Sequence, residues 1–197
     1  MFEIRKTPLI NYIFPAVITL IAISITFIGD SLSDILQYDS KAIADGEYWR
    51  IFTAHIVHLG WSHLWLNLAG LVLIFLFFSN CVPNHFWWTS FFICGLGISI
   101  LVYFLNPEIR WYVGLSGVLH GLFVLAGIMD IRVRKWEGIF FTAVILGKVI
   151  YEQISGPLPG SEEAAGGPVL VDAHFYGALI GVGLGVFLFM RTSQKAK

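Results

Sequence analysis

Six apolar runs divide the chain, at about 11–28, 62–80, 86–105, 116–130, 136–151 and 172–190, with polar or glycine- and proline-rich connections between them. A helix needs roughly 20 predominantly apolar residues to cross a bilayer. The pattern therefore predicts an all-α, polytopic membrane protein, a six-helix bundle forming a single membrane domain over 1–197. The fourth run is short: Ser116 to Asp130 is fifteen residues, about 22 Å of helix against a hydrocarbon core of about 30 Å. Its first turn should start below the outer surface, with 106–115 descending to it as irregular backbone. Such backbone survives at that depth only where protein or a wet cavity surrounds it. Of the two long connections, 29–61 is mixed and holds Tyr48, Trp49 and Arg50, an expected interface anchor. The other, 156–167, carries Pro157, Pro159, Gly160, Glu162 and Glu163 and reads as flexible and acidic.

Composition narrows the class. With 57% hydrophobic and 13% charged residues, the chain has too few charges to cover a soluble domain. A net charge of -1 gives no basic face for nucleic acid, so none is expected as a partner; the bilayer is. Cys81 and Cys94 fall at different depths, which argues against a disulfide. The first run follows Arg5 and Lys6 but exceeds a signal-peptide core of roughly 7–15 residues and lacks an Ala-x-Ala end, so it reads as a retained helix. Arg5, Lys6, Arg132, Arg134, Lys135, Arg191, Lys195 and Lys197 fall on one side of a six-helix arrangement. Lys41, Arg50 and Arg110 fall on the other, and Lys148 lies inside a span. The bias puts both termini in the cytoplasm, in keeping with a bacterial inner membrane. Asp30, Asp34, Asp39, Asp45, Glu47, Glu108, Glu152, Glu162 and Glu163 are then assigned to the outer side.

In that topology the second, fourth and sixth helices run inward from the outer surface, and their first turns hold His63 with Asn67, Ser116, and His174. Polar side chains in a membrane are costly and mark function by default. A serine hydroxyl needs an adjacent base, and neutral imidazole is the usual one. His174 reaches Ser116 only if their helices nearly touch. Gly117 and Gly121 on one, and Gly177, Gly181 and Gly185 on the other, give the small faces that allow this. A tetrahedral oxyanion needs preorganised donors. His63 and Asn67, at i and i+4, share a helix face, and the Ser116 N–H at a helix start adds a third donor.

Trp49-Arg50, His58 with His63 and Asn67 behind it, Gly114-Leu115-Ser116-Gly117-Val118, and Ala173-His174 followed by Gly177 and Gly181, in that order, resemble the rhomboid family of intramembrane serine proteases. The resemblance implies Ser116 as nucleophile and His174 as base in a dyad without an Asp. It implies His63, Asn67 and the Ser116 N–H as oxyanion donors, no metal and no cofactor. It also likens the segment around Trp49-Arg50 to a structural first loop and 152–171 to a cap over the site. Where many members carry Tyr one turn below the serine, stacked on the catalytic His, this chain has His120. That feature, with Val171-Asp172-Ala173-His174 and the six-helix minimum, resembles the rhombosortase branch. The substrates implied are transmembrane proteins with a C-terminal Gly-Gly, a membrane helix and a basic tail.

Other residues read more plainly. Asp172 at a helix start is expected as a cap, its alternative being a third catalytic member. His55, His58 and His63 show no His-Glu-x-x-His pattern, and His58 should bond backbone in the outer loop. His85 reads as an inner loop residue. Three alternatives stay open: a housekeeping rhomboid protease, a noncatalytic binder of membrane helices, and a small transporter with Ser116, His120, Asn67 and His174 as its conduit. A conduit would need polar residues across the whole bilayer, whereas these cluster in its outer third.

Overall fold

The computed structural model describes residues 9–194; Arg5, Lys6, Lys195 and Lys197 lie outside them. In chain order the helices are α1 (Ile13–Ile28), α2 (Asp30–Leu36), α3 (Ser40–Ala44), α4 (Arg50–Thr53), α5 (Trp61–Phe78), α6 (Asn84–Leu105), α7 (Ser116–Asp130), α8 (Lys135–Ser155), α9 (Ser161–Ala165) and α10 (Val171–Gln194). Among the described residues, α5, α6, α8, α10 and the stretch Leu9–Ile28 that includes α1 are long and apolar enough to cross a membrane. The expected all-α polytopic architecture is present. α7 begins and ends where the pattern placed it. α8 runs four residues past the predicted end at 151, which draws Glu152 into the helix. His85 is an exposed residue in the first turn of α6, not a loop residue.

The shortness of α7 has a packing reason. Eleven of its fifteen residues are buried, and α5, α6, α8 and α10 surround it. A helix walled by protein need not match the lipid thickness. α1 is held on the far side by Phe14, which meets Trp88 edge-on at 4.9 Å and lies against Phe75 at 5.8 Å. The outward faces stay apolar, with Leu76, Phe104 and Trp136 each more than 70% exposed, as lipid contact requires.

Polar contacts sort the helix ends. At one end Asn11 donates to the Ser79 carbonyl (3.1 Å), Arg134 to that of Phe77 (2.7 Å), and Arg132 to that of Phe189. The start of α1 and the ends of α5, α7 and α10 therefore share that end, with its arginines. Ser116, His174, His63 and Asn67 lie toward the other.

There the long connection is built rather than loose. β1 (Tyr38–Asp39) pairs antiparallel with β2 (Trp111–Tyr112), tying it to the segment that leads into α7. The Asp39 carboxylate caps α3, accepting from the amides of Lys41 (2.9 Å) and Ala42 (3.0 Å), and these amides, that of Ala42 foremost, hold it below the usual carboxylate range. Arg50 is buried and donates to the carbonyls of Asp34 (2.7 Å) and Gln37 (2.9 Å) and to Glu47 (2.7 Å). Hydrogen bonds from a charged group are worth about 1.5–3 kcal/mol each. Trp49 donates to the Ile35 carbonyl at 3.0 Å. Both residues anchor the 29–61 connection and stand away from the site.

Candidate active site

Three helix starts converge, and glycine sets how closely. Gly114, two residues before α7, has φ +127°, and a β-carbon on it would lie 2.8 Å from Cε1 of His63. Only glycine holds that backbone with the imidazole lying over it. Its amide bonds the Ala54 carbonyl at 3.0 Å. Between α7 and α10 the contact is backbone on backbone. A β-carbon on Gly117 would lie 2.9 Å from the Ala173 carbonyl oxygen, and one on Gly121 2.7 Å from that of Gly177. One on Gly177 or Gly181 would overlap the carbonyls of Gly117 or Gly121 outright. The predicted small-residue faces thus meet each other.

That approach brings Nε2 of His174 to 2.9 Å from Oγ of Ser116. The imidazole is 5% exposed and stacks on His120 at 4.2 Å, 20° between planes. Nδ1 of His120 lies 2.7 Å from the Ser116 carbonyl, an acceptor, so that nitrogen carries the proton.

The other nitrogen of His174 is not free. Nδ1 lies 2.9 Å from Oε2 of Glu152, a residue 2% exposed that the sequence reading assigned to the outer side. The predicted span ended one residue short of it. The same oxygen meets Nζ of Lys148 at 2.8 Å, and that ammonium is also 2.8 Å from Nε2 of His120 and 3.3 Å from Nδ1 of His174. The signal for these two was available: a Lys and a Glu four apart on an apolar helix form an intramembrane pair on one face. Asp172 plays no part at the imidazole. It sits in the first turn of α10 and accepts from Asn106 at 2.9 Å.

His63 and Asn67 face the same space. The Leu59 amide donates to Nδ1 of His63 at 3.3 Å, leaving the proton of the neutral ring on Nε2. Asn67 spends one amide hydrogen on the His63 carbonyl at 3.0 Å and keeps the second. The Ser116 N–H, in the first turn of α7, has no intrahelical acceptor. These groups line a cavity of about 360 Å³ together with Ser116 and His174. Its walls are Leu66, Gly70 and Leu73 of α5 and Ile145 of α8, and Ala165 of α9 reaches it from above.

The neighbouring histidines do not join it. His55 is bound into α6, with Nε2 at 2.9 Å from the Gly95 carbonyl and 3.1 Å from Ser99 Oγ. His58 packs edge-to-face on His63 at 5.1 Å, and neither of its ring nitrogens has a hydrogen bond of normal geometry. The loop backbone it faces is that of Ile56, whose hydrogen bond opposes the effect of burial. Burial, with His63 beside it, pushes His58 down to about 3, so it is a neutral buttress for His63. Donor atoms of His120, Glu152 and His174 come within 4.8 Å of one another, close enough to share a cation. The Lys148 ammonium stands among them and supplies that charge.

A family model described as the Rhomboid domain matches residues 45–191, well over half of the chain. Among known proteins the chain is similar to the Rhomboid-like protein 11, chloroplastic, of Arabidopsis thaliana, with 27% identity over 143 residues. That alignment takes in 68% of this chain and 50% of the relative, so the chain spans about half the relative's length.

Proposed function

The chain belongs to the rhomboid family, and on that premise we propose that it is a serine endopeptidase working inside the membrane, cleaving the anchor helix of another protein near the outer face. The observation that carries this reading is the 2.9 Å contact between Ser116 Oγ and His174 Nε2 beside a cavity lined with unused donors. Ser116 Oγ bonds to the substrate carbonyl carbon while its proton passes to Nε2 and the carbonyl electron pair moves onto oxygen. The Ser116 N–H, His63 Nε2–H and Asn67 Nδ2–H meet that oxyanion. Collapse breaks the C–N bond, Nε2 gives its proton to the leaving amine, and water then hydrolyses the ester by the same proton route.

Loss of one oxyanion donor typically costs about 10²- to 10³-fold in rate. Asn67→Ala and His63→Ala are each expected to lower kcat by roughly 10- to 1,000-fold with a smaller change in KM. Steady-state kinetics in detergent or proteoliposomes measures it. An effect confined to expression or melting temperature would return the pair to a packing role.

The substrate reading is narrower: a rhombosortase, acting on C-terminal anchors that carry Gly-Gly, an apolar helix and a basic tail. Its support is the His120 that stacks on His174, together with the chemistry of glycine, which resists helix and so presents extended backbone. The apolar walls from α5 and α8 suit a helix admitted from the bilayer between them. Arg132, Arg134, Lys135 and Arg191 support placing the opposite end of the bundle in the cytoplasm of a bacterium, across its inner membrane. The test is to express the protein with a secreted reporter bearing such a tail, beside a reporter with Leu-Leu for Gly-Gly. Cleavage of the first alone is expected. Equal cleavage of both favours a housekeeping rhomboid.

A further inference from the structure

We propose that Glu152 is a positioning residue for His174 and that Lys148 is its fixed counter-charge, so that α8 completes a Ser–His–Glu relay; this rests on the serine-protease reading above. A carboxylate buried in a membrane protein is expensive unless paired and hydrogen-bonded. Glu152 meets both conditions through one oxygen, to Lys148 Nζ at 2.8 Å and His174 Nδ1 at 2.9 Å. The lysine lies one turn earlier on α8, its side chain 22% exposed against 1% for the glutamate. It reaches from a more exposed position on the wall of the site cavity to neutralise the carboxylate.

The chemistry needs this carboxylate for two reasons. To take the Ser116 proton, neutral His174 must keep its lone pair on Nε2 and its own proton on Nδ1. An acceptor at Nδ1 selects that tautomer, and the opposite one cannot act as base. Second, once Nε2 is protonated, an imidazolium stands 3.3 Å from the Lys148 ammonium. Both are donors, so that contact is not a hydrogen bond but two like charges, and Glu152 between them is what makes the arrangement tenable. Lys148 also fixes His120, whose Nε2 accepts from Nζ at 2.8 Å while its Nδ1 proton goes to the Ser116 carbonyl. The groups facing His174 are thus Glu152 and Lys148 from α8, Ser116 and His120 from α7, and His63 from α5 across the cavity.

The charge arithmetic separates this role from a structural one. In Glu152→Gln the ammonium remains with no carboxylate, and the amide no longer selects the tautomer. A drop in kcat of about 10³- to 10⁴-fold is expected, the scale for losing the orienting carboxylate of a triad, with KM changed less than threefold. Lys148→Met combined with Glu152→Gln removes both charges, so it should fold even where the single variant does not. Its kcat is expected to fall at least 30-fold yet exceed that of a folded Glu152→Gln at least tenfold. Reporter cleavage and the rate of fluorophosphonate labelling, with a thermal melt of each variant, read these values. A double variant with wild-type kcat overturns the proposal. So does a folded Glu152→Gln that is no slower than the double variant, or one whose deficit lies in KM. Absence of labelling in the wild type would instead strike the serine-protease reading itself.

Discussion

Replacing either Ser116 or His174 with alanine is expected to abolish cleavage, by about 10⁴- to 10⁶-fold, while leaving the protein inserted and folded. The magnitude follows from how a nucleophile and its base act: they work as a unit, and removing either one removes nearly all of the covalent route. The fold should survive because, among the described residues, the Ser116 side chain bonds His174 alone, and α7 is held by glycine contacts and apolar burial instead. His174→Ala opens a space beside His120 and leaves Glu152 with Lys148, a pair that remains neutral overall. Chelators should leave the wild type active, since the cation among His120, Glu152 and His174 is a lysine. Reporter cleavage with immunoblotting for membrane insertion measures all three. Full activity in either alanine variant would remove the pair from the mechanism.

A second large effect, on activity and stability together, is expected at the glycine contact. Gly181→Val places a β-branched side chain where Gly121 backbone already sits, so α10 must move away from α7. A shift of about 1 Å at a reacting pair can cost 10²-fold, and loss of the close contact also weakens association of the two helices. A fall in activity of at least 10²-fold and a lower melting temperature are expected. Gly183, two residues along the same helix, has nothing within 4 Å of an added β-carbon. Gly183→Val should therefore remain within about twofold of wild type. Equal behaviour of the two variants would mean that the glycine face looks at lipid.

Much of this was legible in the chain because membrane helices announce themselves by length and hydropathy. The short fourth run, the glycine spacing on α7 and α10, and the His63–Asn67 step of one turn all read out as periodicity. The 29–61 connection did not. α2, α3 and α4 are four to seven residues long, too short to show a period. β1 and β2 are two-residue strands whose pairing comes from a partner more than seventy positions away. Glu152 escaped for a different reason. Hydropathy alone ends the apolar run at 151, whereas Lys148 neutralises the glutamate within the helix and lets α8 continue to Ser155. The resemblance to a dyad pointed the same way, since it asked for no third member and left only Asp172 to be weighed. The structure gives Asp172 to Asn106 instead and puts the carboxylate on the neighbouring helix.

The most direct measurement is labelling of the purified protein by a fluorophosphonate probe, which reacts with a serine only when a base and an oxyanion site have made it nucleophilic. The expected result is a single covalent adduct mapped to Ser116 by mass spectrometry, absent in Ser116→Ala and slowed by orders of magnitude in His174→Ala. Labelling that persists in Ser116→Ala, or a folded wild-type protein that takes up no probe while cleaving its reporter, would contradict a serine nucleophile at this site.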